Sequence, residues 1–160
     1  MDQEKELRTY LKNFLDWHEA HADLKAAVKD FPAKLRGTRP PGAPHSGWDL
    51  LEHMRISTHD IVEFSRDATY VSPDWPSGYW PKDPAPPSAA AWEKSVKALE
   101  RDLAEMGKLV SDPKTDLFAK IPHGSGQTIF REALLIADHN AYHLGQLVMV
   151  RRLLGCWPES

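Results

Sequence analysis

Apolar side chains recur three or four positions apart along four stretches of this chain, and no stretch alternates convincingly between apolar and polar residues. The first stripe consists of Leu7, Tyr10, Phe14, Trp17, His21, Leu24 and Val28. This spacing places its members on one face of an α-helix. Because the residue before a proline is disfavoured in the helical conformation, Phe31-Pro32 is expected to end it. The pattern predicts one long amphipathic helix.

Three further helices are predicted. Ser46 begins the second, and Asp49 three residues later completes a variant of the capping box. Pro113 closes the third, and the fourth is expected to start at Thr128 and to stop at Gly155. Their stripes are Trp48, Leu50, Leu51, Met54, Ile61 and Phe64; Trp92, Val96, Leu99, Leu103, Met106 and Val110; and Ile129, Ala133, Ile136, Leu147, Val150 and Leu154.

Four amphipathic helices in 160 residues favour an all-α four-helix bundle, with residues 1–160 as a single domain. Residues 67–88, between the second and third helices, contain six prolines and four aromatic residues. A connection this long is usually functional or disordered, and its aromatic residues favour a packed lid or an interface loop. Trp75, Tyr79 and Trp80 either cover the open end of the bundle, pack at a dimer interface or contact a substrate.

Charge and composition narrow the class of protein. The net charge is −3, and no basic run offers the electrostatic footprint of a nucleic-acid-binding surface. No stretch approaches the ~20 consecutive apolar residues of a membrane span. The charged N-terminal segment is not typical of a signal peptide. Cys156 is the single cysteine, which excludes an internal disulfide. These features predict a soluble, cytoplasmic protein.

Two histidines interrupt the apolar face of the predicted fourth helix. His139 follows Ile136 by three residues and precedes His143 by four, so both imidazoles face the core. His53 likewise shares the inner face of the second helix. His21 lies within the first stripe. His59, by contrast, shares its face with charged residues and is predicted to be a solvated surface histidine.

Two explanations compete for the inward histidines. A single inward histidine is more often bonded to a backbone carbonyl or to water. Two imidazoles on one apolar face are costly to bury unless their nitrogens are satisfied, and a spacing of four brings both rings to one point, which suits a divalent metal. A third inward histidine on another helix would complete a three-nitrogen set. Three protein ligands leave one coordination position for water or substrate, as in catalytic sites.

Several familiar catalytic motifs are excluded. The H-E-x-x-H motif of zinc peptidases fails because Asn140 follows His139, and the HEAH segment at residues 18–21 is one residue short. Di-iron carboxylate bundles need E-x-x-H motifs, which the chain lacks. A single cysteine cannot supply the P-C-x-x-C of nucleobase deaminases. The HGSGQT segment at residues 123–128 follows no predicted strand, which favours a turn over a phosphate loop.

Two segments resemble the DinB-like superfamily. SGWDLLEHMRISTHDIVEF, at residues 46–64, is similar to the second helix of these proteins, in which the histidine of LLEH is a metal ligand. GQTIFREALLIADHNAYHLGQLVMVRRLLG, at residues 126–155, is similar to their last helix, with its signature H-x-x-x-H-x-G-Q. The resemblance makes His53, His139 and His143 the metal ligands. It also implies an up-down-down-up helix order and frequent dimerisation.

The resemblance also suggests an activity. Members of the superfamily include metal-dependent transferases of low-molecular-weight thiols and mycothiol-dependent isomerases, so a metal-dependent enzyme that transfers a thiol to a small-molecule electrophile is the leading hypothesis. Metal-assisted hydrolysis, with Asp60 as the nearby carboxylate, is a second. A non-catalytic metal-binding protein related to stress is a third. Three imidazoles suit zinc or nickel first, with iron, copper or manganese as alternatives.

Four further residues are expected to line the site: His21, His123, Gln146 and Trp80. Cys156 is not expected to be the nucleophile, because it follows the stop of the fourth helix. The expected partners are a small-molecule substrate, such as a thiol, and a second copy of the chain, with neither nucleic acid nor membrane.

Overall fold

The computed structural model describes residues 3–16 and 19–158. These residues form five α-helices: α1 (Gln3–Phe14), α2 (Leu24–Val28), α3 (Gly47–Arg66), α4 (Ala89–Ser111) and α5 (Ile129–Leu153). Short 3₁₀ turns occupy Ala33–Leu35 and Ser77–Tyr79. Within the described residues there is no β-strand, which confirms the all-α prediction.

The prediction of one continuous helix over residues 7–28 is wrong, because the segment contains two helices. α1 ends at Phe14, and α2 starts anew at Leu24. The new start has a local cause: the Asp23 carboxylate accepts a hydrogen bond from the backbone N–H of Ala26 at 2.7 Å. A capping aspartate satisfies one of the free N–H groups at a helix start, and this favours a fresh helix over continuation of the previous one.

The buried face of α1 also differs from the predicted stripe. Leu11, and Leu15 just beyond the helix, are buried, whereas Tyr10 and Phe14 are exposed. Successive residues of a helix point about 100° apart, so α1 packs through the face one position further along the chain. Trp17, which the predicted stripe included, lies outside the described residues.

The predicted boundaries of the other helices are confirmed, because short-range capping sets them. At the start of α3, the backbone N–H of Asp49 donates to the Ser46 hydroxyl and the backbone N–H of Ser46 donates to the Asp49 carboxylate. The Thr128 hydroxyl caps α5 by accepting from the backbone N–H of Arg131 at 3.1 Å. Gly155 ends α5 in the left-handed conformation at φ 66°.

The central helix of the fold is α3, which packs against both α4 and α5. Its two ends lie in separate apolar clusters. The cluster around its first half contains Trp48, Leu50, Leu51 and Met54 of α3 with Trp92, Val96, Leu99, Leu144, Leu147 and Val150. The cluster around its second half contains Val62 with Met106, Val110, Ile129, Ala133 and Ile136. The packing of α3 on α5 brings His53 opposite His139 and His143.

His59 is not the solvated surface histidine that its charged neighbours predict. Its Nδ1 lies 3.0 Å from Oδ2 of Asp102, which is 2% exposed on α4. The guanidinium of Arg101 donates to the other oxygen of the same carboxylate at 2.9 Å. A buried carboxylate is costly to desolvate unless it is paired, so these contacts explain how Asp102 is accommodated.

Residues 67–88 connect α3 to α4 and are held against α3 by specific contacts. The indole N–H of Trp48 donates to the backbone carbonyl of Asp83 at 3.1 Å. The 3₁₀ turn Ser77–Tyr79 packs on α3 and leads into Trp80, which is half-buried. None of the helices in the described part of the chain combines the length and the apolar character that a membrane crossing requires.

Candidate metal centre

Three histidines from two helices meet in the groove between α3 and α5. His53 lies two turns into α3, and His139 and His143 lie one turn apart on the same face of α5. Each offers a ring nitrogen, and these three nitrogens all lie within 4.8 Å of one another. The Nε2 atoms of His53 and His139 are 3.1 Å apart. The structure therefore brings together the three histidines that the sequence singled out.

The protein orients two of these rings through their other nitrogen. Nδ1 of His53 donates to the backbone carbonyl of Tyr79 at 2.8 Å. Nδ1 of His143 donates to Oε1 of Gln146 at 2.7 Å. In a neutral imidazole with its proton on Nδ1, the lone pair is on Nε2. Both rings thus direct an electron pair toward the cluster, as metal-binding histidines do when an outer partner fixes their tautomer.

The spacing of the nitrogens fits a shared cation. Tetrahedral zinc with bonds of about 2.0–2.1 Å to nitrogen holds two ligand nitrogens about 3.3 Å apart. The 3.1 Å separation between His53 and His139 is close to this value. Three convergent imidazole nitrogens, two of them with the proton assigned to the outer nitrogen, are a donor set suited to a divalent ion. His53, His139 and His143 could therefore hold a metal.

Burial keeps all three imidazoles neutral near neutral pH. It lowers the pKa of His53 and of His143, against the opposing effect of their hydrogen bonds to Tyr79 and Gln146. The pKa of His139 falls to about 4, first because of burial and then because positive charge on His143 or His53 would repel a second proton. A neutral imidazole is the form that binds a metal. The site is thus in its ligating form across the physiological range of pH.

Aromatic side chains enclose the cluster on several sides. The Trp80 ring lies flat on the His53 imidazole, with centroids 4.0 Å apart and an interplanar angle of 2°. Tyr142 meets His143 edge-on at 4.9 Å. His53 and His143 are buried, whereas His139 is half-buried. His139 is therefore the cluster histidine with the largest solvent-exposed fraction.

Two of the four residues predicted to line the site contact it, and two lie elsewhere. Gln146 and Trp80 touch cluster histidines, as described. His123 is exposed, and its Nε2 donates to the carbonyl of Phe64 at 2.6 Å. Phe64 lies eleven residues beyond His53 on α3, which is about 16 Å along the helix axis. His123 thus belongs to the opposite end of α3.

His21 also lies apart from the cluster. It is exposed, and its Nδ1 is 3.0 Å from the carbonyl oxygen of Ala22. The small cavity that it lines is bordered by Met54 and Asn140. Each of these residues follows a cluster histidine and points about 100° away from it around its helix. The spacing of the first stripe predicts an inner position for His21 only if residues 7–28 form one helix, and they form two.

The structure adds two contributors that the sequence did not indicate. One is the backbone carbonyl of Tyr79, and a main-chain carbonyl has no signature in a sequence. The other is His45, whose ring stacks on Trp80 at 4.2 Å and 14°, on a loop before α3 that has no periodic pattern. Asp60, considered as a carboxylate for hydrolysis, accepts a hydrogen bond from the Tyr79 hydroxyl at 2.7 Å. Cys156 is half-buried beyond the end of α5.

Comparison with known proteins agrees with this geometry. The family model of the DinB superfamily matches residues 16–147, which include all three cluster histidines. No curated protein and no solved structure matches the chain. The family match covers most of the chain, including all of α3 and the part of α5 that carries His139 and His143, and the chain therefore belongs to the DinB superfamily.

Proposed function

We propose that this protein is a metal-dependent enzyme that acts on a small molecule, with a divalent metal held by His53, His139 and His143. Transfer of a low-molecular-weight thiol is the reaction we favour. The observation that carries the proposal is the convergence of three imidazole nitrogens within 4.8 Å. Closed structural zinc sites use four protein ligands, whereas three leave a position for substrate.

The chemistry of the donor set suits the binding of a thiol. Among the described residues, no aspartate, glutamate or cysteine shares the ligand cluster. A divalent ion bound by these three neutral ligands would keep its charge uncompensated, and it would hold a coordinated thiol as the thiolate. Metal-assisted hydrolysis, in which a metal-bound water would be the nucleophile, is the alternative. The carboxylate considered for it, Asp60, accepts a hydrogen bond from the Tyr79 hydroxyl.

The residues of the chain have distinct parts in this proposal. The Tyr79 carbonyl and Gln146 orient two ligands, and Trp80 shields the His53 ring from water. The half-buried His139 marks the side from which thiol and electrophile approach. The metal is zinc or nickel, with iron, copper or manganese as alternatives.

We further propose how the chain is organised. Residues 1–160 form one domain in which α1 and α2 together take the place of one helix, and the helices follow the up-down-down-up order of a four-helix bundle. The protein is a cytoplasmic homodimer. Its partner is a small-molecule substrate, without nucleic acid or membrane. The acidic net charge of −3 supports the absence of a nucleic-acid surface.

Metal analysis of the purified, untagged protein tests the proposal. We expect about one equivalent of a divalent metal in the wild type and none in His53→Ala or His139→Ala, with helix content retained. His123→Ala is the matched control, since His123 lies at the other end of α3 and should leave the metal content unchanged. A folded wild type that takes up no added divalent ion would contradict the proposal.

A cobalt-substituted sample then separates catalysis from a structural role. Addition of a thiol should change the cobalt absorption spectrum if a coordination position is open to substrate. An unchanged spectrum would favour the non-catalytic alternative, in which the three histidines hold a metal for stability alone.

A further inference from the structure

Tyr79 is attached to α3 at two places. Its backbone carbonyl accepts the Nδ1 proton of His53 at 2.8 Å, and its hydroxyl donates to Oδ2 of Asp60 at 2.7 Å. One residue of the 67–88 connection therefore bridges a cluster histidine and a carboxylate on the same helix.

The spacing on α3 explains why one tyrosine can make both contacts. His53 and Asp60 are seven residues apart, which is two helical turns, so they share a face and lie about 10 Å apart along the axis. The backbone of Tyr79 lies beside His53, and its side chain extends along α3 until the hydroxyl contacts Asp60. The phenol hydroxyl therefore holds Tyr79 to α3 at Asp60, away from the metal cluster. The backbone carbonyl of the same residue contacts His53 within the cluster.

Further contacts hold the residues of this bridge in place. Trp80, the next residue, lies flat on the His53 ring, and the His45 ring stacks on Trp80 as well. Burial, together with the neighbouring Asp60 carboxylate, raises the pKa of Tyr79. The phenol therefore keeps its proton and remains a hydrogen-bond donor near neutral pH.

We propose that Asp60 and Tyr79 are positioning residues of the metal centre: Asp60 anchors the Tyr79 phenol, and the Tyr79 carbonyl thereby fixes the ring orientation and tautomer of His53. The proposal rests on the metal-binding part of the proposed function and not on the reaction. It assigns Asp60 a role through its geometry, not through its charge or as a base. It also assigns the 67–88 connection a task in shaping the ligand set.

Four variants distinguish this positioning role from a role for the charge of Asp60. Tyr79→Phe removes the hydroxyl and retains the carbonyl, and Asp60→Ala removes the acceptor. Asp60→Asn removes the charge but keeps an oxygen that can accept from the phenol. Tyr10→Phe is the matched control, because Tyr10 is 61% exposed on α1. Circular dichroism and thermal unfolding establish that each variant is folded.

Two readouts are measured for each variant. The first is zinc affinity, by competition with a chromophoric chelator. Outer partners of metal-bound histidines change affinity by about 10–100-fold, and we expect about tenfold weakening for Tyr79→Phe and Asp60→Ala. Asp60→Asn should stay near the wild type, and the double variant Tyr79→Phe with Asp60→Ala should lose no more than either single variant, since both break the same bond.

The second readout uses the metal-free protein. Long-range ¹H–¹⁵N NMR of the imidazoles should show His53 with its proton on Nδ1 in the wild type, in Asp60→Asn and in Tyr10→Phe. In Tyr79→Phe and Asp60→Ala, His53 should populate both tautomers. This signature does not depend on a metal, and general loss of stability in a folded variant would not produce it.

The outcomes separate the two proposals. If the wild type binds no zinc, the proposed function fails, and the tautomer of His53 still decides whether Asp60 and Tyr79 position it. If the folded Tyr79→Phe and Asp60→Ala variants keep both the wild-type affinity and the Nδ1 tautomer, the positioning role is overturned. If Asp60→Asn weakens zinc binding as much as Asp60→Ala while Tyr79→Phe does not, Asp60 acts through its charge. Positioning of His53 through Tyr79 would then be wrong.

Discussion

The Nε2 atoms of His53 and His139 lie 3.1 Å apart, although the two residues are 86 positions apart in the sequence and belong to different helices. Because Nδ1 of His53 already carries a proton bonded to Tyr79, its Nε2 can only offer an electron pair. The facing nitrogen of His139 either donates its N–H to this electron pair or binds the same cation. The pair can therefore share a divalent ion between two helices.

Acidification should destabilise the metal-free protein. An unfolded histidine gains its proton near pH 6.5, whereas folded His139 does so only near its pKa of about 4. The unfolded state therefore binds more protons, and stability present above pH 6.5 is lost as the pH falls from about 6.5 toward 4. After allowance for the partial exposure of His139, we expect a loss on the order of 2 kcal/mol.

Urea unfolding of metal-free protein at pH 7, 5.5 and 4.5 measures this effect. His53 and His143 add to the loss in the same direction, since their pKa values are also lowered. His139→Gln removes one titrating group and should reduce the dependence of unfolding free energy on pH. An equally steep dependence in His139→Gln would show that His139 does not contribute.

Removal of the partner of His143 should weaken metal binding without unfolding the protein. Gln146→Leu deletes the acceptor of the Nδ1 proton, and the loss of such outer contacts costs about 10–100-fold in metal affinity. Gln146→Glu keeps an acceptor oxygen and should retain most of the affinity. Chelator competition measures both variants beside Met149→Ala, an exposed residue on the same helix. If Gln146→Leu binds the metal as tightly as the wild type, Gln146 does not contribute to metal binding.

Trp80 and Trp75 should differ sharply, although both lie in the 67–88 connection. Trp80 stacks on His53, so Trp80→Ala should lower the free energy of unfolding by about 1–3 kcal/mol and weaken metal binding. Trp75 is 77% exposed, and Trp75→Ala should change stability by no more than about 0.5 kcal/mol. Chemical denaturation of both variants shows whether residues 67–88 stabilise the fold by packing or act only as a lid over the substrate. Equal stability of the two variants would favour the lid.

The contact between His59 and Asp102 should contribute to the packing of α3 on α4. Asp102→Ala leaves the imidazole and the Arg101 guanidinium without their shared acceptor, and we expect a loss of about 1–2 kcal/mol. A double-mutant cycle with His59→Ala isolates the pair, and Glu100→Ala on the exposed side of α4 is the control. Additive effects of the two substitutions would show that the pair does not interact energetically.

Local signals in the sequence account for most helix boundaries and for the identity of the cluster. Ser46 and Thr128 start their helices through hydrogen bonds that span three residues, so a short window of sequence contains all the information needed. The phases of His53, His139 and His143 follow from the helical period in the same way. Periodicity within one helix cannot show which helix lies opposite, and only the resemblance connected His53 with the pair on α5.

What the sequence determined by itself was therefore the set of long helices from Ser46 onward and the inward direction of three histidines, because both depend on contacts within one or two helical turns. The tertiary structure decided what depends on distant partners: the rotation of α1 toward Leu11, the pairing of His59 with Asp102, and the carbonyl of Tyr79 on His53. These features arise when separate segments compete for the same buried surface. A backbone carbonyl or a side chain on another helix leaves no periodic trace in the residues that it contacts.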